Sequence, residues 1–528
     1  MVNCLKANEV LGIKKHNRFE LYKVKNKIES VIFQLFFHIN LILLIVISMR
    51  FFYLIIVSFF INSISAQTVD IVLEQYKKDP QLKHASYAFT VLDASTGNVL
   101  KEYNSELALV PASTLKIVTT SAALGILGKN FTYKTTVDVL YNAESIENSS
   151  SFKLLVTGSG DPSFNSNYFY NNDSLFFLPI IQKLKTKKIT ITTDELLINN
   201  SYFDNNIPST WIWGDIGNYF GAGANGLSYK DNKFSLFYTS GAANSKASLE
   251  SIKPPYFANK LNISSDVLSY GSDDEAYVYG DPMAYTRVVR GTIPANKTNY
   301  EVEAQMPEPP LFFKYELLEK LYQQKLITIN KNSINIDWTA STIKYERLHT
   351  FISPKLEKII QFTNVKSNNH YAESLLKTIG AIKTGKQGTT ENGIEAAKNY
   401  WKSRGVDVTG LNMADGSGLS RANTITTKIQ ATILSKIYKD STLYNTFNAS
   451  LPIAGKNGSM TNLCKGTYAE NNLRAKTGYI NRARGYCGYV KTKKGKDLAF
   501  SILFNNYDCT ASQMKLKIEQ FLISLTEL

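Results

Sequence analysis

Helical patterning marks the two flanks of this chain and is scarce between about residues 130 and 350. On the first flank, SYAFTVLDASTGNVLKEYNSE (86–106) alternates about a Ser-Thr-Gly-Asn turn and reads as a β-hairpin. LVPASTLKIVTTSAALGIL (109–127) follows, with Leu115, Val118, Ala122 and Ile126 at helical spacing and Pro111 at the start, where a missing N–H costs nothing. The middle is rich in strand patterns, loops, Asn and Ser. From Pro354 helices return in KLEKIIQFTNV, HYAESLLKTIGAI and ENGIEAAKNYWKSRG, and the chain ends strand, strand, helix. A helix/strand module split by a long β-rich insertion fits this order. No internal repeat stands out, and 528 residues suffice for about two to four domains.

The composition is that of a globular protein, 44% hydrophobic and 20% charged. A formal charge of +15 raises nucleic acid as a partner, but the basic residues are scattered, without an Arg-rich run or zinc-finger spacing. An anionic cell-surface polymer fits the charge equally well. GAGANG (221–226) matches a dinucleotide fingerprint, which needs a strand before it and a helix after it. WIWGDIGNYF precedes it and LSYKDNKFSLFY follows, a loop and then a strand, so nucleotide binding is rejected.

Residues 31–61 are almost continuously apolar, and MRFFYLIIVSFFINSISAQ (49–67) has the parts of a secretory signal: Met49, Arg50, an apolar run and small residues before Gln67. Residues 1–66 are therefore expected to be a signal region, with translation starting at Met49 and cleavage near Ala66. An uncleaved anchor is the alternative if the whole double run is made. Export leaves Cys464, Cys487 and Cys509, an odd number, so one disulfide with a free thiol or three buried thiols are both open. No Cys/His spacing suggests a metal or other cofactor, and His370 reads as a surface or packing residue.

Ser113 stands three residues before Lys116, so both lie on one face of a helix and can meet. A lysine made neutral by burial or by a neighbouring cation can take the serine proton, and the helix N-terminus favours negative charge beside it. The spacing alone is weak, because it recurs at Ser150/Lys153, Ser341/Lys344, Ser374/Lys377 and Ser512/Lys515. Two more motifs follow in order. Ser367-Asn368-Asn369 opens an amphipathic helix and is otherwise explained as an N-cap. Lys476-Thr477-Gly478 enters strand patterning and is otherwise an edge strand with a bulge. A second such triplet, Lys383-Thr384-Gly385, follows a helix and reads as a turn.

Together these are the parts of an acyl-transferring serine enzyme. Ser113 attacks a carbonyl and Lys116 takes its proton. Ser367 relays a proton to the leaving amine, while Asn369 holds Lys116 and the substrate amide. Lys476 keeps Lys116 neutral and attracts a substrate carboxylate, to which Thr477 hydrogen-bonds. Gly478 admits the substrate backbone, and the N–H groups of Ser113 and Tyr479 form an oxyanion hole.

At these residues the chain resembles the penicillin-binding protein and serine β-lactamase superfamily. More narrowly it resembles the D-alanyl-D-alanine carboxypeptidase/endopeptidases of the class C low-molecular-mass penicillin-binding proteins. The long gap between Lys116 and Ser367 supports the narrower likeness, as do GSGDPSF (158–164), SNNHYAESLLKTIG, DGSGLSRANTIT (415–426) and LPIAGKNGSM (451–460). The likeness covers about residues 80–528. It implies an α/β fold, an α/β/α sandwich with an antiparallel sheet, formed by 67–130 and 350–528 and interrupted by a β-rich region, 131–349, of two subdomains. It further implies an exported, periplasmic or envelope serine peptidase that acts on peptidoglycan stem peptides, is acylated by β-lactam antibiotics, and needs no cofactor, metal or nucleic acid.

Asn368 stands where that family commonly has Asp, and Tyr479 stands where a small residue is usual and is expected to narrow the cleft floor. The loop at Asp415 is expected near the cleft, either touching the site or supporting it. Competing readings are a β-lactamase or esterase of the same fold, which needs an activated water for fast deacylation, and a non-catalytic wall-binding protein, which has no use for a neutral lysine beside a serine. Since every candidate catalytic side chain lies outside 130–350, substitutions there, as at Trp211 or Trp213, are expected to alter peptidoglycan preference more than reactivity toward penicillin.

Overall fold

The structure, a computed structural model, describes Lys27 and residues 68–142, 152–170, 173–255, 258–327 and 343–528. The expected signal segment, Ser150 and Ser341 lie outside the described residues. Helix α1 (Val69–Lys78) is capped by Thr68, whose hydroxyl accepts from Ile71 N. The hairpin follows as β1 (Ser86–Asp93) and β2 (Val99–Tyr103), with Phe89 opposite Tyr103. Ser113 lies in a 3-10 turn, Ala112–Leu115, that leads into α2 (Lys116–Leu127). Every residue of α2 from Lys116 to Leu124 is buried, which marks a helix surrounded by protein rather than one with a single apolar face.

The chain then leaves through β3 (Lys134–Asn142) and β4 (Phe152–Thr157), α3 (Leu178–Lys187) and β5 (Leu196–Asn199). Next come β6 (Lys233–Thr239), β7 (Ser248–Lys253), β8 (Asn262–Ser269), β9 (Tyr277–Tyr279), β10 (Thr286–Ile293) and β11 (Tyr300–Gln305). After α4 (Pro309–Gln323), the chain returns through β12 (Ile343–Ile352). Exit and return are neighbours, because β12 pairs antiparallel with β3 and Ile352 faces Lys134. These strands form three sheets, ordered β12-β3-β4-β5, β11-β6-β7 and β8-β10-β9. Side chains from all three, among them Val156, Leu236 and Val289, join one apolar cluster drawn from Val137 to Phe351.

Helices α5 (Leu356–Lys366), α6 (Asn369–Thr384), α7 (Thr390–Ser403), α8 (Thr427–Lys439) and α9 (Ser441–Ser450) follow. Strands β13 (Arg474–Ile480), β14 (Ala483–Lys491) and β15 (Asp497–Asn505) and helix α10 (Ala511–Ser524) end the chain. The two flanks close one antiparallel sheet, β13-β14-β15-β1-β2, in which β1 and β15 pair from Ser86↔Asn505 to Asp93↔Leu498.

Period-two alternation sends β15 into two cores. Leu498, Phe500, Ile502 and Phe504 pack with α1 and α10 on one face. Ala499 and Leu503 pack with α2, α6 and α8 on the other, where Ser501 donates to Gln430 Oε1 at 2.7 Å. This is the expected α/β/α sandwich. Among the described residues no helix is long and apolar enough to cross a membrane.

Candidate active site

Three elements carry the three motifs to one place. The Ser113 turn packs directly on β13, and Gly478 is the reason it fits. A Cβ on Gly478 would stand 2.5 Å from Pro111 O, 2.9 Å from Thr114 N and 3.0 Å from Ser113 N. The glycine thus makes room for the chain's own backbone. The β13–β14 register runs unbroken from Arg474↔Tyr489 to Ile480↔Ala483, so no bulge is present. Between α5 and α6, Ser367 adopts a left-handed conformation (φ 57°) as the C-cap of α5. Asn368 is the N-cap of α6, accepting from Tyr371 N at 3.1 Å. A neutral amide suits that task, whereas the motif's outer residues face the site.

Lys116 is fully buried, and its Nζ donates to Ser113 Oγ at 2.9 Å, Asn369 Oδ1 at 2.7 Å and Ser417 O at 2.7 Å. Two of these acceptors carry no proton; the serine hydroxyl does. In the neutral form, which has two N–H bonds and one lone pair, the N–H bonds can go to Asn369 and Ser417, and the 2.9 Å contact to Ser113 then becomes one in which the serine O–H donates. Burial pushes Lys116 down to about 7, against the opposing charges of Asp415 and Glu373. The neutral form is therefore well populated near neutrality.

Lys476 is also fully buried and donates to Ser367 Oγ at 2.9 Å and Thr477 O at 2.8 Å. Burial first, and the charge of Lys116 second, hold it well below the usual lysine range. Burial is the largest cause for both lysines, and a positive charge on either one disfavours a positive charge on the other. Thr477 Oγ1 pairs with Ser459 Oγ at 2.6 Å. Tyr479 is 53% exposed at the rim, with the Arg484 guanidinium 5.3 Å from its ring centre.

The site extends beyond the three motifs. The loop at Asp415 touches it directly through the Ser417 carbonyl. Asp415 is buried and accepts from Gly418 N, Ser420 N, Asn423 Nδ2 and Trp211 Nε1 at 2.6–2.9 Å. Asn369 Nδ2 donates to Phe220 O at 2.8 Å. Trp211 and Phe220 belong to the stretch expected to be separable from the chemistry, and both touch residues of the site.

Glu373 and Phe220 carry no motif signature, and Trp211 was expected to bear on peptidoglycan preference rather than on the site. Helical spacing alone marks Glu373, which lies four residues after Asn369 on one helix face.

Other motifs resolve as structure. Ser374 donates to His370 O, and Lys377 pairs with Asp204 at 2.6 Å. Gly385 is the left-handed C-cap of α6. Gly221–Gly226 is not followed by a helix. His370 is a packing residue rather than a surface one, and burial pushes it to about 3. Cys464 and Cys487 are buried free thiols and Cys509 is a partly exposed one.

The sequence profile of the D-Ala-D-Ala carboxypeptidase 3 (S13) family matches residues 69–525. The chain belongs to this family. Membership makes it a serine-type peptidase and upholds the resemblance read from its motifs. The D-alanyl-D-alanine carboxypeptidase of Actinomadura sp. (strain R39) is 26% identical over 457 residues, spanning 84% of this chain and 81% of that protein. Penicillin binding protein 4 of Haemophilus influenzae shares the fold, with a TM-score of 0.68 at 19% identity over 87% of this chain and 99% of its own. The same protein, solved in complex with a β-lactam, gives a TM-score of 0.65 at 19% identity over 86% of this chain and 98% of its own.

Proposed function

We propose that this S13 peptidase is an exported D-alanyl-D-alanine carboxypeptidase and endopeptidase that acts on peptidoglycan stem peptides through an acyl-enzyme on Ser113. The observation that carries this reading is the Lys116 amine, whose two proton-free acceptors leave the serine hydroxyl as the partner for its lone pair. Ser113 Oγ adds to the carbonyl of the penultimate D-Ala as its proton passes to Lys116. The resulting oxyanion is met by the N–H groups of Ser113 and Tyr479, on the two backbones that Gly478 brings together. The C–N bond then breaks, and the proton that Lys116 accepted passes through Ser367, which Lys476 holds, to the leaving D-Ala amine, so that Lys116 is neutral again. Water adds to the ester and releases the shortened peptide and free Ser113. Thr477 on β13 and Ser459, the hydroxyl paired with it from the Gly458–Met460 turn, receive the terminal carboxylate. A β-lactam follows the first half of this path, but its leaving group stays tethered, so the acyl-enzyme persists.

Release of D-Ala from an N-acylated peptide ending in D-Ala-D-Ala tests the proposal. The folded protein should release it and Ser113→Ala should not; no release by the folded wild-type protein would refute the peptidase assignment. Export is tested by N-terminal sequencing of envelope protein, with Gln67 the expected first residue and Met1 the contrary one.

A further inference from the structure

Glu373 is 1% exposed, on the face of α6 that also carries Asn369. Its Oε1 accepts from Gly416 N at 3.0 Å and Ser417 N at 2.8 Å, and its Oε2 accepts from Gly416 N at 3.1 Å. The residue whose N–H it takes, Ser417, offers its carbonyl to Lys116 Nζ. One carboxylate thus grips the peptide unit next to the acceptor that aims the lysine. Burying a charge of this kind is costly unless it is paired and hydrogen-bonded, and its cost here falls at the reacting amine.

We propose that Glu373 is a positioning residue for the Ser113/Lys116 pair, holding the Ser417 carbonyl on Lys116 and supplying negative charge that favours the protonated lysine. The inference rests on the reading of Lys116 as the base of Ser113. The charged groups facing this pair can be named from every side. Asp415 and Glu373 both favour the lysine cation, against burial. Lys377, one turn on along α6, stabilises the Glu373 carboxylate, while burial and Asp415 oppose it and raise it to about 7. Lys476 lies on the far side, its own proton affinity lowered by Lys116. Asp415 alone could not hold the loop, because its bonds go to Gly418, Ser420, Asn423 and Trp211 rather than to Gly416 or Ser417.

The test is the pH dependence of penicillin acylation in purified protein, read as the acid limb of the rate. Glu373→Gln keeps the size and removes the charge, so the limb should move to lower pH by about one unit, with a lower plateau. Glu373→Asp keeps the charge but shortens the reach, so the plateau should fall while the limb stays where it is in the wild type. A purely structural residue would lower both plateaus and move neither limb, and that result would overturn the proposal; so would an equal shift in both variants. Should Glu373→Gln not fold, Glu373→Met removes the same charge at similar length: a limb displaced to lower pH supports the proposal and an unmoved limb overturns it. Failure of Ser113 to be acylated in the wild type would instead refute the underlying peptidase reading.

Discussion

Asn369 is held from both sides: its Oδ1 accepts from Lys116 Nζ at 2.7 Å, and its Nδ2 donates to Phe220 O at 2.8 Å. A carbonyl facing the amide nitrogen fixes which end of the side chain meets the lysine. The stretch inserted between the first and second motifs therefore orients the amide that Lys116 meets.

Trp211 and Trp213 separate these roles. Trp211 is buried and donates to Asp415 Oδ2 at 2.9 Å, whereas Trp213 is 59% exposed. Trp211→Phe removes one hydrogen bond to a charged group, and penicillin acylation should slow about tenfold. Trp213→Ala should leave that rate within about twofold, as surface substitutions do. Stopped-flow or gel-based acylation rates decide this; equal rates in the two variants would show that the Trp211 contact has no bearing on the base.

The pH profile follows from Lys116. Since burial brings it to about 7 and the reaction uses its neutral form, acylation should rise about tenfold per pH unit below 7 and level off above about 8. Lys116→Ala should lose about a hundred- to ten-thousand-fold of the rate and its acid limb with it. A flat profile in the wild type would contradict a lysine base.

Gly478 offers a packing test. An added methyl would meet backbone atoms of Pro111, Ser113 and Thr114, which cannot swing aside. Gly478→Ala should lower stability by about 1–3 kcal/mol and suppress acylation, because β13 can no longer sit on the nucleophile's turn. Gly214→Ala, where a methyl meets nothing within 4 Å, should change neither. Thermal unfolding beside acylation rates measures both, and a fully active Gly478→Ala would remove the close approach from the account.

The legible parts of this protein were those with local signatures. The helical spacing of α2 and the closing strand, strand, helix order marked elements, the family resemblance implied the sandwich, and the order of Ser113, Lys116, Ser367, Asn369, Lys476 and Thr477 pointed to the site. Contacts made through backbone atoms left no such mark. The Phe220 carbonyl accepts from Asn369 and the Ser417 carbonyl from Lys116 whatever their side chains are. The same applies to Gly478, whose need was visible but whose cause, the approach of Ser113, depends on two segments hundreds of residues apart in sequence meeting in space. The source of the lysine's depression also required the fold, since burial is a property of surroundings and not of a motif.

The proposed acyl-enzyme forms on Ser113, and mass spectrometry of the purified protein after exposure to benzylpenicillin reads that residue directly. One penicilloyl group should appear, on the peptide containing Ser113. Ser113→Ala should carry none, while substitutions at Ser374 or Ser512 should leave labelling intact. An unlabelled wild-type protein, or equal labelling after Ser113→Ala, would contradict the central claim.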